Sequence, residues 1–309
     1  MSIIKSSLDI EQLRVVKMMI YGQAGAGKTT LALSAPAPLL VDFDGGVRRV
    51  NYEHLDGVDV VQVNKWADVL RLFTEEDLSS YRTIVVDTVG KMMDYIIESV
   101  CGSRPPQIRD WTRINGEFQR FCAELGRLGK NSIFVAHRDT RREGEDTVYI
   151  PALREKNLNT IVTELDLLGY LEMRVEAGRT LRTITFDPSS RNEGKNTCGL
   201  PLLMTVPTIV DGGRVTGRND FVAEKVLRPY LERIEEDEQR MQQYNERKKD
   251  IELYVAQITD ETGANGFADY IRNIKAVGTL LMFARAEFAK RVAELGLAYD
   301  KATKTYKKG

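Results

Sequence analysis

The stretch GQAGAGKT, Gly22 to Thr29, has the residue types and spacing that hold a nucleoside triphosphate. It matches the pattern G-x-x-x-x-G-K-[ST] in full and carries a further glycine, Gly25. Glycines let the backbone turn its N–H groups inward around phosphate oxygens. The candidate contacts run through Gly22, Gln23, Ala24, Gly25, Ala26, Gly27, Lys28, Thr29 and Thr30. Lys28 can bring a point charge to the β- and γ-phosphates, and the Thr29 hydroxyl is a hard oxygen ligand suited to Mg2+. The chemistry this implies is that of ATP held with magnesium.

A carboxylate is needed beside that metal. RTIVVDT (Arg82–Thr88) is an apolar run ending in Asp87, which can reach the ion directly or through a water. Its alternative role is to cap the helix that follows. Hydrolysis also needs a group to orient the attacking water. PLLVDFD (Pro38–Asp44) offers Asp42 and Asp44, and Asp44, which precedes Gly45-Gly46, is the better placed. The competing reading of Asp44 is an Asp-Gly turn. SIFVAH ends in His137, a polar group after an apolar run, able to sense the γ-phosphate. Asp44, Lys28 and His137 are thus the candidate catalytic residues, and Thr29 and Asp87 the candidate metal ligands.

These groups share one edge only if their strands are parallel. RVVKMMIYG enters the glycine loop as a buried strand, and KTTLALSA leaves it as a helix. PLLVDFD, VDVVQV, RTIVVDT and SIFVAH read as further strands, and WADVLRLF as a helix. Trp111–Lys130 is a second helix, with Ile114, Phe118, Phe121, Cys122 and Leu125 at helical spacing. Alternating strands and helices predict an α/β fold, a mainly parallel sheet covered on both faces. Ligands then bind beyond the carboxyl ends of the strands. ELDLLGYLEMRVE, RTLRTITFDP and LPLLMTVP read as short strands that extend the sheet or form an edge hairpin.

From Phe221 the chain is helical and charged. Leu227, Ile234, Met241 and Val255 share one heptad position, and Tyr230, Tyr244, Ile251 and Ile258 the other. TGANG reads as the break before a second helical block, and YDKATKTYKKG as a basic tail able to meet nucleic acid. The expected domains are 1–222, the triphosphate-binding core, and 223–309, the helical region with its tail.

The order of parts resembles the RecA-type ATPase core: glycine loop, acid after the next strand, strand-end Asp87, loop, helix, strand-end His137. The resemblance is closer to phage-encoded nucleotide-binding proteins with a minimal RecA-like core, some of them single-strand annealing recombinases of the Sak group. It covers about Val15 to Pro207. It implies a P-loop NTPase with a RecA-like sheet, ATP and Mg2+ as cofactors, DNA-stimulated hydrolysis and action as a homo-oligomer, ring or filament. Asp44 then occupies the catalytic-carboxylate position, where a Glu is usual. Relatives often carry a Lys-x-Arg that reaches a neighbouring subunit; GKNTCGLP keeps Lys195 but has Thr197 at the arginine position, and Arg191 is the substitute. Two segments correspond to loops that bind single-stranded DNA. CGSRPPQIRDWTR has Arg104, Arg109, Arg113 and Trp111; RDTRREGEDTVY has Arg138, Arg141, Arg142 and Tyr149. Arginines supply phosphate contacts and aromatic faces stack bases. Glu143, Glu145 and Asp146 oppose phosphate, so a solvated charged hairpin is the alternative for the second segment. A single-strand binding protein is a further expected partner.

Composition narrows the classes. The chain has 309 residues, 42% of them hydrophobic, enough for a core of roughly 200 residues and an appendage. Lys+Arg, 44, and Asp+Glu, 45, nearly cancel, so nucleic-acid contact must come from local patches. Three cysteines without a C-x-x-C pair and two histidines make no zinc constellation, and they fit a reducing, cytoplasmic setting, the host's if phage encoded. The opening MSIIKSSLDIEQ does not read as a signal peptide, and no apolar run is long enough for a membrane. Two rival functions share the glycine loop: a phosphotransferase acting on a small molecule, with Arg138–Arg142 as its lid, and a helicase loader or partition-type motor.

Overall fold

Short apolar runs that end in glycine, an acid or histidine become the strands of one sheet. The structure, a computed structural model, describes residues 14–176, 179–274 and 279–308. The opening segment, Met1–Gln12, lies outside them, and so does its signal-peptide reading. In chain order the elements are β1 (Lys17–Gly22), α1 (Lys28–Ala32), β2 (Pro38–Asp42), β3 (Asp59–Gln62), α2 (Trp66–Glu75), β4 (Thr83–Asp87), α3 (Val89–Cys101) and α4 (Asp110–Arg127). There follow β5 (Asn131–Glu143), β6 (Asp146–Pro151), α5 (Glu155–Glu164), β7 (Leu167–Glu176), β8 (Arg179–Thr185), β9 (Lys195–Asn196) and β10 (Leu203–Val206). The last are β11 (Val210–Asp211), β12 (Arg214–Val215), α6 (Arg228–Gln257), α7 (Glu261–Asn273), α8 (Leu280–Glu294), β13 (Leu297–Asp300) and β14 (Thr305–Lys308).

The sheet runs β10-β8-β7-β1-β5-β4-β2-β3. From β7 to β3 every neighbour is parallel; β8 and β10 extend it antiparallel beyond β7. The three runs that follow α5 thus both extend the sheet and form an edge hairpin. Strands β1, β2 and β4 are buried throughout or nearly so, as a sheet covered on both faces requires. One face packs α2, α3, α4 and α5 around Phe118, Phe121, Ile96 and Trp66. The other packs Leu31, Val50, Phe186, Phe221 and Val226 against Ile20, Leu40 and Val135. The helical spacing in Trp111–Lys130 is real: Ile114, Phe118, Phe121, Cys122 and Leu125 are all buried along α4. Complete burial of a Phe such as Phe118 contributes roughly 1.5–3 kcal/mol.

Three expectations need correction. Helix α1 ends at Ala32, five residues long, whereas the KTTLALSA pattern extends to Ala35. The Ser34 hydroxyl bonds the Leu31 carbonyl and accepts from Val222 N–H, which closes the turn. The first compact unit ends at Leu231, beyond the expected boundary at 222. A π-helical turn over Val222–Leu227 places Val222, Val226 and Leu227 in the sheet's second core, so charge alone misplaces the boundary. TGANG does not break a helix; it lies inside α7, whose N-cap is Asp260, its carboxylate accepting from Gly263 N–H. The basic tail forms the hairpin β13–β14, where the Lys307 ammonium pairs with Asp300.

The second unit begins at Glu232 and has its own core: Ile251 and Val255 of α6, Phe267 of α7 and Leu280, Ala284 and Phe288 of α8. Ile251 and Ile258 fall on the predicted heptad stripe and are buried there, so this part of the stripe serves the unit's own packing.

Candidate functional site

Register brings the predicted groups together. Gly22 at the end of β1 lies opposite His137 on β5, and Asp42 at the end of β2 opposite Asp87 on β4. The four chain segments therefore leave the sheet at one edge. Gly22 is required there, because a Cβ would stand 2.3 Å from the Leu171 carbonyl oxygen of β7. Gly27 has φ +89°, a left-handed conformation that favours glycine, and it delivers the chain to Lys28.

A cavity of about 170 Å3 opens beside the loop, lined by Ala24, Gly25, Lys28, Thr29, Asp44, Asp87 and His137 among others. Every candidate catalytic and metal-binding residue read from the sequence is on its wall. The Lys28 ammonium is buried and donates to the Gln23 carbonyl at 2.8 Å, which holds the lysine over the loop. Burial lowers its pKa, opposed by the charges of Asp87 and Asp44. The Thr29 hydroxyl donates to Asp87 Oδ2 at 2.6 Å. Burial pushes the Asp87 carboxyl up to about 6; the Thr29 hydroxyl opposes this and Asp44 and Asp42 add to it. A dication between Thr29 and Asp87 would offset that cost.

Asp42 and Asp44 have separate tasks. The buried Asp42 carboxylate accepts from the N–H groups of Asp44, Gly46 and Val47 at 3.3, 2.9 and 3.1 Å. It builds the turn. Asp44 Oδ1 is buried with no hydrogen-bond partner, and its other oxygen lies 3.9 Å from Arg49 Nη1. Asp44 is thus left available to the cavity. Asp42→Ala would strand three donors that are buried or partly so, each costing about 1–3 kcal/mol if fully buried and unmet. We expect it to lower unfolding stability by at least about 2 kcal/mol in a urea titration, with Asp44 displaced as well.

His137 is exposed on the rim, where burial lowers its pKa, followed by the Lys28 charge, with Arg49 adding and Asp44 opposing. Its imidazole is a hydrogen-bonding group at the mouth of the cavity.

The residues fit magnesium. The available groups are a hydroxyl and carboxylates, hard oxygens, and Mg2+ takes one or two carboxylates with the rest of its shell from phosphates and water. Among the described residues no cluster of three His, Cys, Asp or Glu side chains could hold a metal alone; a bound Mg2+ would take the rest of its shell from phosphates and water. Gly46 keeps the space open: a Cβ there would lie 3.0 Å from both Asp44 Oδ1 and Asp87 Oδ2.

Sequence reasoning missed Arg49, Gly46 and Thr88, which also line the cavity. Arg49 follows Asp44 by five residues in GGVRRV, and a cation so close to a strand-end acid is the signal that could have found it. Thr88 caps α3 by accepting from Lys91 N–H, so the helix cap weighed for Asp87 belongs to its neighbour.

The arginine-rich segments divide. The Arg104 guanidinium forms two hydrogen bonds to Asp110, at 2.6 and 2.9 Å. The Arg141 guanidinium pairs with Glu143 and Glu193. Arg138 donates to the Tyr170 hydroxyl and lies over the Tyr149 ring. Trp111 is half-buried, with the Arg154 guanidinium 3.4 Å from its ring centre. These groups are engaged within the fold. Arg109, Arg113 and Arg142 are exposed and form no ion pair among the described residues. The second segment is a hairpin, as its alternative reading has it: β5 runs past His137 and turns back as β6. The Lys195 ammonium donates to the Val162 and Thr163 carbonyls at the end of α5 and is engaged within the fold. Arg191, 59% exposed, lies 3.5 Å from Glu172.

A parallel sheet with a glycine loop after its first strand, a Lys-Thr pair and a strand-end aspartate together define a nucleotide-binding P-loop NTPase of the RecA-like fold. The chain belongs to a family of AAA domains, whose model matches residues 14–198. No curated protein matches it. Among solved structures it is similar to a KaiC-like protein from the hyperthermophilic archaeon Pyrococcus horikoshii OT3, at 13% identity and a TM-score of 0.37, over 55% of this chain and 77% of that one. It is also similar to the flagellar accessory protein FlaH from Methanocaldococcus jannaschii, at 11% identity and a TM-score of 0.36, over 62% of this chain and 90% of that one. No described helix is long and apolar enough to cross a membrane.

Proposed function

We propose that this chain hydrolyses Mg·ATP and uses the cycle to bind and release single-stranded DNA as an annealing or recombination protein, in the manner of the phage proteins it resembles. The observation that carries the ATPase reading is the convergence of Lys28, Thr29, Asp44, Asp87 and His137 on one cavity. Magnesium, when bound, neutralises phosphate charge. The residues do the rest. Thr29 and Asp87 orient the ion's shell, Lys28 draws the β- and γ-phosphates into the loop, Asp44 accepts a proton from the attacking water, and His137 hydrogen-bonds a γ-phosphate oxygen.

Connectivity supports the DNA reading. α3 starts at Val89, directly after the Asp87–Thr88 pair, and ends at the segment bearing Arg109 and Arg113. β5 continues from His137 into the hairpin bearing Arg142. Arg142 is thus joined by one strand to His137, and Arg109 and Arg113 by α3 and the loop after it to the Asp87–Thr88 pair. An oligomer, with Arg191 the cation offered to a neighbour, belongs to the same reading.

The test is ATP turnover with single-stranded, duplex and no DNA, and single-strand binding across a salt series. Arg109→Ala, Arg113→Ala and Arg142→Ala should each weaken binding at every sequence and make the salt slope shallower by about 0.7 for each phosphate no longer neutralised. Trp111→Ala should change binding little, because Arg154 covers the ring. A wild-type protein with no single-strand affinity at low salt, even with a non-hydrolysable ATP analogue, refutes the DNA half and leaves the ATPase standing.

A further inference from the structure

The second unit, from Glu232 onward, has no residue in the triphosphate site and carries a surface of its own. After α7 and α8 it closes with the hairpin β13–β14, which is fastened to both helices. Phe288 of α8 lies between Phe267 of α7 and Tyr306 of β14, with its ring centre 5.0 Å from each. The Asn265 side chain of α7 accepts from Tyr306 N–H at 2.7 Å and donates to the Tyr306 carbonyl at 3.0 Å, as a neighbouring strand would. Glu261 accepts from Lys308 N–H at 2.6 Å. The turn is set as well: Asp300 accepts from Ala302 N–H and from the Thr303 hydroxyl, at 2.8 and 2.9 Å. α8 and the hairpin thus form one platform, ordered before any partner arrives.

That platform is positive. From Leu280 to Lys308 cations outnumber acids seven to three, in a chain whose charges nearly cancel overall. The three acids are engaged within the fold: Glu287 pairs with Lys290, Glu294 with Arg291 and Asp300 with Lys307. Arg285, Lys301, Lys304 and Lys308 are exposed and form no ion pair among the described residues. Cations left without counter-charge on a preformed surface fit a polyanion. Arg285 stands one helical turn before Phe288, and Lys304 two strand residues before Tyr306, so from the contact of those two rings both cations fall within one turn of duplex, roughly 34–36 Å.

Shape selects duplex DNA among polyanions. The outward side of α8 carries Met282, 72% exposed, with the exposed Ala286 and Ala289 at spacings of four and three, which put them on one face beside Arg285. Short side chains let a helix backbone approach a groove floor, and methyl groups meet the thymine methyl. The major groove of B-DNA, about 12 Å wide, admits one α-helix, whereas that of an RNA duplex is too deep and narrow to be read. A single-strand site needs aromatic faces free for stacking. Here Phe267, Phe288 and Tyr306 pack on one another, and Tyr299 leans on Tyr306 at 5.2 Å.

We propose that the second unit is a duplex-DNA-binding module: α8 enters the major groove, and Lys301, Lys304 and Lys308 of the hairpin hold phosphates beside it. This surface is separate from the single-strand candidates of the first unit and needs no nucleotide. The test is fluorescence anisotropy of the full chain, without ATP, on a labelled DNA duplex, on one of its strands and on an RNA duplex of the same sequence, across a salt series. The wild type should favour the DNA duplex over the RNA duplex. Lys301→Ala and Lys304→Ala should each weaken duplex binding by roughly 5- to 10-fold at 0.1 M salt and make the salt slope shallower by about 0.9, with single-strand affinity and ATP turnover unmoved. Ala286→Glu, which puts a carboxylate on the outward side of α8, should weaken duplex binding by at least about tenfold. No duplex affinity at low salt, an RNA duplex bound as tightly, or a loss that falls equally on the single strand would each overturn the module. So would variants with wild-type melting curves that bind the duplex as the wild type does, and an Ala286→Glu variant that does so removes the helix from the groove. A protein that binds the duplex through this unit but neither turns over ATP nor holds single strands refutes the function proposed above and leaves this module standing.

Discussion

Lys28→Ala is expected to weaken Mg·ATP binding by roughly 30- to 4,000-fold, the equivalent of about 2–5 kcal/mol for removing one member of a buried charge pair. The lysine is already desolvated and held over the loop by the Gln23 carbonyl, so it meets the β- and γ-phosphates without further ordering. Lys28→Arg should rescue little, because a planar fork does not fit the space of a point charge. Equilibrium dialysis with a labelled non-hydrolysable analogue measures the loss. A variant that binds and hydrolyses ATP at wild-type levels would mean that the loop does not hold the triphosphate.

Asp44→Asn is expected to leave ATP affinity within about threefold and to slow hydrolysis by about 10²–10⁴, the contribution of a positioned general base. The substitution is nearly isosteric, and Asp42 supports the turn, so the change isolates the charge. Single-turnover hydrolysis with enzyme in excess separates the chemical step from product release. If that step is unchanged, Asp44 is a turn residue and the water is oriented by another group. His137→Gln, which keeps a neutral donor, should cost far less than His137→Ala.

The glycine loop and its partners were legible because each is a strand-end feature. β1, β2, β4 and the buried half of β5 are largely apolar runs, so the residue that interrupts each run lies at the sheet's carboxyl edge wherever the strand falls in the order. Parallel pairing then gathers Gly22, Asp42, Asp87 and His137 without any knowledge of the strand sequence. The division of labour between Asp42 and Asp44 was not legible, since VDFD gives no sign of which carboxylate the three backbone N–H groups of the next turn will take. Nor were the cations. Arg104, Arg109, Arg138 and Arg141 look alike as letters, yet three of them are held by Asp110, Glu143, Glu193 or Tyr170.

Strand β5 has two halves. Six residues, Asn131–Ala136, are buried in the parallel sheet, His137 still pairs with Gly22, and from Arg138 to Glu143 the strand has β6 as its ladder partner. Such a strand behaves as a braced beam: the Arg138 guanidinium on the Tyr170 hydroxyl, the Arg141 guanidinium on Glu193 and the Tyr149 N–H on the Arg191 carbonyl tie the hairpin to β7 and to the segment before β9. A movement at His137 is therefore shared with those neighbours along the hairpin, not amplified at its tip.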